Sequence, residues 1–173
     1  DPPEVNLPLI NAFKPDILRS YGSYLGRLFS YIRDTGAPFH RPAAIVYTSD
    51  ACPEAARRLI MDEFGIPLFS LYQAIEGFKI GFECEAHEGY HINCDQYVVR
   101  IVDEAGHDLP PGETGEVALS NLVNRGTVLL NYRLNDMARW LPPAPCPCGR
   151  TLPRLDFVQG RTQEWIRLPD GAL

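Results

Sequence analysis

Apolar positions recur at helical spacing soon after the start of the chain: Ile17, Leu18, Tyr21, Tyr24, Leu25, Leu28, Phe29 and Ile32 follow the three-and-four period of an amphipathic helix. Pro15 and Asp16 suit its first turn, where proline loses no needed N–H and an acid meets the positive end of the dipole. Asp1 to Leu9, rich in proline and acid, reads as an entry linker. Ala43 to Tyr47 is an apolar run that predicts a short buried strand, closed by the polar turn Thr48-Ser49-Asp50. A second helix is predicted from Pro53 to Phe64, with Ala56, Leu59, Ile60 and Phe64 on one face and Gly65-Ile66-Pro67 to stop it. Leu68 to Tyr72 is the next strand. Strand, helix, strand in that order predicts a parallel pair.

After Glu76 the period shortens to two. Phe78 to Cys84 alternates, His87-Glu88-Gly89 turns the chain, and a strand beginning at Tyr90 is expected to run on through Tyr97 to Val102. Turns at Asp103–Gly106 and Leu109–Gly112 separate it from strands at Gly115–Leu119 and Val128–Tyr132. The second half is therefore expected to be antiparallel and barrel-like. The expected fold class is α/β plus β, with an α/β part at 1–76, an antiparallel β part at 77–159 and a hinge segment at 160–173.

Composition narrows the function classes. The 173 residues suffice for one sizeable core. A net charge of -6, with Lys14 and Lys79 the only lysines, argues against a nucleic-acid partner, which requires clustered cations. There is no apolar run of membrane-spanning length and no N-terminal signal pattern, so the expectation is a cytoplasmic chain without a membrane partner. Five cysteines without such a signal favour metal ligation or free thiols over a disulfide framework.

Cys146-Pro147-Cys148-Gly149-Arg150 places two thiols on one tight turn, a corner suited to a soft divalent ion. Further ligands are available in Cys84-Glu85-Ala86-His87-Glu88-Gly89-Tyr90-His91. Three cysteines and one histidine would close a tetrahedral, structural site with no position left for water. Either His87, three residues after Cys84, or His91 can complete it, and the other would support the ligands. The alternative is a pair of adjacent thiols and a hairpin with incidental histidines. Cys52 reads as a free thiol beside a helix start, Cys94 as a strand residue, and His40 and His107 as loop residues in solvent.

The order of motifs adds a second line of inference. Tyr72-Gln73-Ala74-Ile75-Glu76, Phe82-Glu83-Cys84 with Gly89-Tyr90-His91, Leu109-Pro110-Pro111-Gly112-Glu113-Thr114-Gly115-Glu116, Asn131-Tyr132-Arg133-Leu134-Asn135-Asp136, Cys146-Pro147-Cys148-Gly149-Arg150 and Gly160-Arg161-Thr162-Gln163-Glu164 together resemble the phenylacetate–coenzyme A ligase family of adenylate-forming acyl ligases. The resemblance implies the later part of that family's large N-terminal domain, up to the hinge, with its phosphate-binding loop upstream and its lysine-bearing C-terminal domain downstream. Alone, such a piece is expected to be inactive.

By the same resemblance, Glu76 is the catalytic-site acid that helps hold Mg2+, Tyr72 lies near the adenine, Asp136 accepts the ribose hydroxyls, and Arg161 and Gln163 belong to the hinge beside the nucleotide. The family also implies zinc on Cys84, Cys146, Cys148 and a histidine. The implied cofactors are ATP/AMP, Mg2+, coenzyme A and structural Zn2+; the partners are a small carboxylic acid, ATP and coenzyme A, and a homodimer is possible. The implied reaction activates a carboxylate, that of an aromatic or other small acid, as its acyl-adenylate and transfers it to coenzyme A. Gln73, Ile75, Asn135 and Gln163 depart from the family pattern, which usually has Gly, a hydroxyl residue, Gly and Asp there. These departures keep two alternatives open: adenylyl transfer without coenzyme A, as in the related coenzyme F390 synthetases and capsule-biosynthesis proteins, and a non-catalytic zinc-stabilised module.

Overall fold

The computed structural model describes residues 1–162, and the chain divides into two units, one ending at Leu71 and one beginning at Tyr72. The first unit is α/β. Strands β1 (Ile17–Tyr21), β2 (Ala44–Thr48) and β3 (Leu68–Tyr72) lie parallel, with Leu18 opposite Ile45 and Ile45 opposite Leu68. Helix α2 (Gly22–Thr35) buries Leu25, Leu28, Phe29 and Ile32 against that ladder. Phe29 is the centre of the cluster, with Phe39 and Phe64 set edge-on at 5.3 and 5.0 Å.

Three expectations change here. Asp1 to Leu9 is not a linker: Pro3–Phe13 is helix α1, which buries Leu7 in the core. Pro3 occupies the first helical position, where its missing N–H costs nothing, so the proline that suggested a linker starts the helix. Ile17 to Tyr21 is a strand and not the first turns of a helix. The helix begins at Gly22 because Asp50, distant in sequence, receives the N–H groups of Gly22 and Ser23 at 2.5 and 3.2 Å and supplies the cap. A Cβ on Gly22 would sit 2.6 Å from the backbone nitrogen of Cys52, so only glycine lets the loop approach. The second helix is split: α3 (Glu54–Arg58) passes into a π-helical turn, Leu59–Glu63.

The second unit is antiparallel. One ladder contains β4 (Gly81–Glu83), β5 (Tyr90–Ile92) and β9 (Arg154–Leu155); the other contains β6 (Tyr97–Val102), β7 (Gly115–Asn121) and β8 (Tyr132–Ala138). Among the described residues these ladders form open sheets and no closed barrel. Tyr90 to Val102 is not one strand, because Asn93–Gln96 turn between β5 and β6, and Cys94 lies exposed in that turn. Val128 to Leu130 forms no strand; pairing starts at Tyr132, opposite Leu119. Ile80, Ile92, Ile101, Val117, Leu119 and Leu155 form this unit's core. No helix among the described residues is long and apolar enough to cross a membrane.

Candidate functional site

Two constellations stand in the second unit. The first gathers on Asp136. Between the pairs Ala118–Arg133 and Glu116–Met137, β7 advances by two residues and β8 by four, so Leu134 to Asp136 form a bulge. Asn135 sits in it at φ 61, a left-handed conformation that asparagine tolerates. Bulges re-aim side chains, and this one turns Asp136 toward the tyrosine that ends β3. Tyr72 donates its hydroxyl to Asp136 Oδ2 at 2.9 Å. On the other oxygen, Arg161 Nε lies 3.6 Å from Oδ1.

Arg161 reaches that position because the segment from Gln159 to Arg161 pairs with the bulged strand: Met137 N–H donates to Gly160 O and Gln159 N–H to Met137 O, at 2.9 and 2.8 Å. Thr162 Oγ1 adds a bond to Asn135 O at 3.1 Å. Burial, and then the Asp136 carboxylate, hold the Tyr72 phenol well above its ordinary range, so it remains a protonated donor at neutral pH. Tyr90, which sequence reasoning left without a role, packs its ring 5.6 Å from that of Tyr72 and is braced edge-on by Phe157 at 5.0 Å. Its alternating position on β5 was the available signal.

Glu76 is half-buried in the segment after Tyr72, where its backbone carbonyl accepts a bond from Asn121 Nδ2 at 3.1 Å. Tyr72 and Arg161 meet Asp136 by hydrogen bond and ion pair. Ile75, beside Glu76, is 94 % exposed. Gln163 lies outside the described residues.

The second constellation joins Cys84, His91, Cys146 and Cys148, whose ligand atoms all lie within 4.8 Å of one another. Cys84 follows β4, His91 is the middle residue of β5, and Cys146-Pro147-Cys148 turns back through a Gly149 N–H bond to Cys146 O, with Gly149 at φ 81. His87 is not in the group. Its Nδ1 is 2.7 Å from Glu83 Oε1, and its backbone at φ 55 turns the hairpin.

The distances suit a tetrahedral ion. Zn–S bonds of about 2.3 Å place two sulfurs about 3.8 Å apart, and a sulfur and a nitrogen about 3.6 Å apart. Cys84 Sγ and Cys146 Sγ are separated by 3.7 Å, and Cys148 Sγ and His91 Nε2 by 3.4 Å. A disulfide needs sulfurs about 2.05 Å apart, so these thiols are unbonded. His91 is fully buried with its Nε2 toward Cys148, and its Nδ1 has no hydrogen-bond partner among the described residues.

Burial pushes the Cys84 thiol up to about 11. Cys148 is lowered to about 6: desolvation acts upward on it but is outweighed by hydrogen bonds from the Arg150 backbone N–H and guanidinium. A thiol must lose its proton to ligate, so protons compete with the ion. At neutral pH Cys148 is already largely thiolate, whereas Cys84 has a proton to give up. Apparent zinc affinity should therefore rise with pH between 7 and 8, by at least about tenfold per unit through the raised Cys84 thiol. Competition titrations against a chelator across that range check this; a flat profile would contradict it.

No protein-family model matches the chain. It is 28 % identical over 169 residues to a phenylacetate-coenzyme A ligase of Thermus thermophilus and 29 % identical over 169 residues to one of Aromatoleum evansii, in each case covering 94 % of this chain and 38 % of that protein. The chain thus spans little more than a third of the length of these relatives. Among solved structures it superposes on 2-hydroxyisobutyryl-CoA ligase in complex with 2-HIB-AMP, with a TM-score of 0.83 at 18 % identity over 96 % of this chain and 37 % of that one. It also superposes on the anthranilate CoA ligase AuaEII in complex with anthranoyl-AMP, with a TM-score of 0.72 at 16 % identity over 96 % of this chain and 34 % of that one. The chain is phenylacetate–coenzyme A ligase-like in sequence and has the fold of part of the large N-terminal domain of an adenylate-forming ligase.

Proposed function

We propose that the full-length protein is an ATP-dependent acid–coenzyme A ligase, acting on a small aromatic carboxylic acid. The observation that carries this reading is the convergence of Tyr72, Asp136 and Arg161, three residues from separate motifs, on one carboxylate. Asp136 would accept the ribose hydroxyls, since a carboxylate takes several hydrogen bonds at once. Tyr72 would hold that carboxylate in place and offer its ring to the adenine, and Arg161 would bring positive charge to the nucleotide. Glu76 would help hold Mg2+, which neutralises phosphate charge when bound. Gln163 would belong to the hinge. An amide there would hydrogen-bond without charge.

The chemistry proceeds in two displacements. A carboxylate oxygen of the acid attacks the α-phosphorus of ATP and the bond to pyrophosphate breaks; the coenzyme A thiolate then attacks the acyl carbon and AMP leaves. An aromatic substrate is favoured by the phenylacetate and anthranoyl groups named for the relatives. Cys84, His91, Cys146 and Cys148 would hold a structural Zn2+, since four protein ligands leave no coordination position open for catalysis.

The test is acid-dependent pyrophosphate release by the full-length protein, run with a panel of aromatic and aliphatic acids, with and without coenzyme A. Release with aromatic acids, together with a thioester when coenzyme A is present, is the expected result. Acid-dependent release without any thioester would replace coenzyme A with another acceptor, as Gln73 and Ile75 allow. No release with any acid would remove the ligase reading.

A further inference from the structure

The two segments that supply the metal ligands are tied together by arginine–glutamate pairs. Arg150 Nη1 donates to Glu85 Oε2 at 3.1 Å, and Arg154 Nη1 to Glu88 Oε2 at 2.7 Å. Arg154 is packed away from solvent, but Arg150 is not, and the guanidinium of Arg150 makes contacts beyond its pair. Its central carbon lies 5.7 Å from the centroid of the Phe82 ring. Phe82 in turn stacks on His91, with centroids 5.5 Å apart and planes at 29°. A planar guanidinium can bond in its plane and stack through its face at the same time, which an ammonium cannot do.

Arg150 thus stands two residues after Cys148, ties that turn to the segment after Cys84 through Glu85, and backs His91 through Phe82. Cys148 is the least buried of the four candidate ligands, the one that solvent reaches first. Three thiolates about a divalent ion leave a net negative charge, which a nearby cation offsets. We propose that Arg150 is the positioning residue of the metal centre, fastening the Cys146–Cys148 turn to Glu85 and, through Phe82, backing His91, and so setting how slowly the ion leaves. This inference rests on the metal reading given above. It assigns Arg150 no part in the ligase chemistry.

The test loads the full chain with zinc and follows release to a colorimetric chelator for the unchanged protein, Arg150→Gln and Arg150→Lys, with the thiolate-to-metal band of cobalt-loaded samples read alongside. Arg150→Gln should release zinc about 10–100-fold faster, the range for loss of a group supporting metal ligands, and should shift the cobalt band. Arg150→Lys, which keeps charge and loses the stack, should fall between. If Arg150→Gln does not fold, the lysine variant carries the test, and release from it at the unchanged rate would overturn the role of the stacked guanidinium. Equal release by the unchanged protein and Arg150→Gln, with superimposable cobalt bands, overturns the inference and leaves the metal centre standing. An unchanged chain that takes up neither ion removes both.

Discussion

Replacing Cys84 with serine should abolish the zinc binding proposed above and lower the stability of the antiparallel unit by several kcal/mol. Cys84 is buried and sits 3.7 Å from the sulfur of Cys146, so the variant loses one corner of the cluster and no nearby thiol can replace it. The strands at that end are short: β9 is two residues long, and β4 and β5 are three each. Zinc bound to small domains supplies about 10–16 kcal/mol of apparent binding free energy at neutral pH, much of it folding energy, and a hydroxyl is a poor replacement for a thiolate. Elemental analysis should fall from about one zinc per chain to near zero, with a marked drop in melting temperature that a chelator reproduces in the unchanged protein. An unchanged melting temperature, or zinc retained by the variant, would count against the centre.

The second large effect is expected at Asp136. Replacement by alanine removes the acceptor proposed for both ribose hydroxyls and leaves the buried Tyr72 hydroxyl without its carboxylate. Hydrogen bonds to a charged group contribute about 1.5–3 kcal/mol each, so a loss of about 3 kcal/mol, or roughly a hundredfold in affinity for AMP, is expected in the full-length protein. Calorimetric titration measures it. Asp136→Asn should be milder, since an amide oxygen still accepts from Tyr72. An affinity unaltered in Asp136→Ala would place the nucleotide elsewhere.

Motifs were the most legible part of the sequence. The period-two stretch after Glu76 predicted antiparallel pairing, and the strand-helix-strand grammar before it predicted parallel pairing, because each rests on side-chain alternation that the chain displays locally. What failed rested on distant partners. Ile17 and Leu18 fit a helical period as well as a strand, and the decision came from β2 alongside and from the carboxylate of Asp50 at the start of α2. Pro3 and Pro8 signalled a linker although the first of them begins a helix, since proline disfavours helix interiors and favours helix starts.

The histidine shows the same limit. Spacing allowed either His87 or His91 beside the cysteines; the structure brings in His91 because β5 directs it to the opposite face from Tyr90 and Ile92, whereas Glu83 engages the ring of His87. The bulge that turns Asp136 toward Tyr72 could not be read from residue types, because Asn135 at φ 61 is visible only once β7 and β8 are paired. Arg150 was legible only as a basic residue following a thiol. Its place over Phe82 depends on a strand about seventy residues earlier in the chain.

A crystal structure of the full-length protein with AMP bound tests most directly whether Asp136 and Tyr72 form the floor of a nucleotide site. Ribose hydroxyls within hydrogen-bonding distance of both Asp136 oxygens, with the base beside the Tyr72 ring, are the predicted result. Well-ordered AMP away from Asp136 would contradict it.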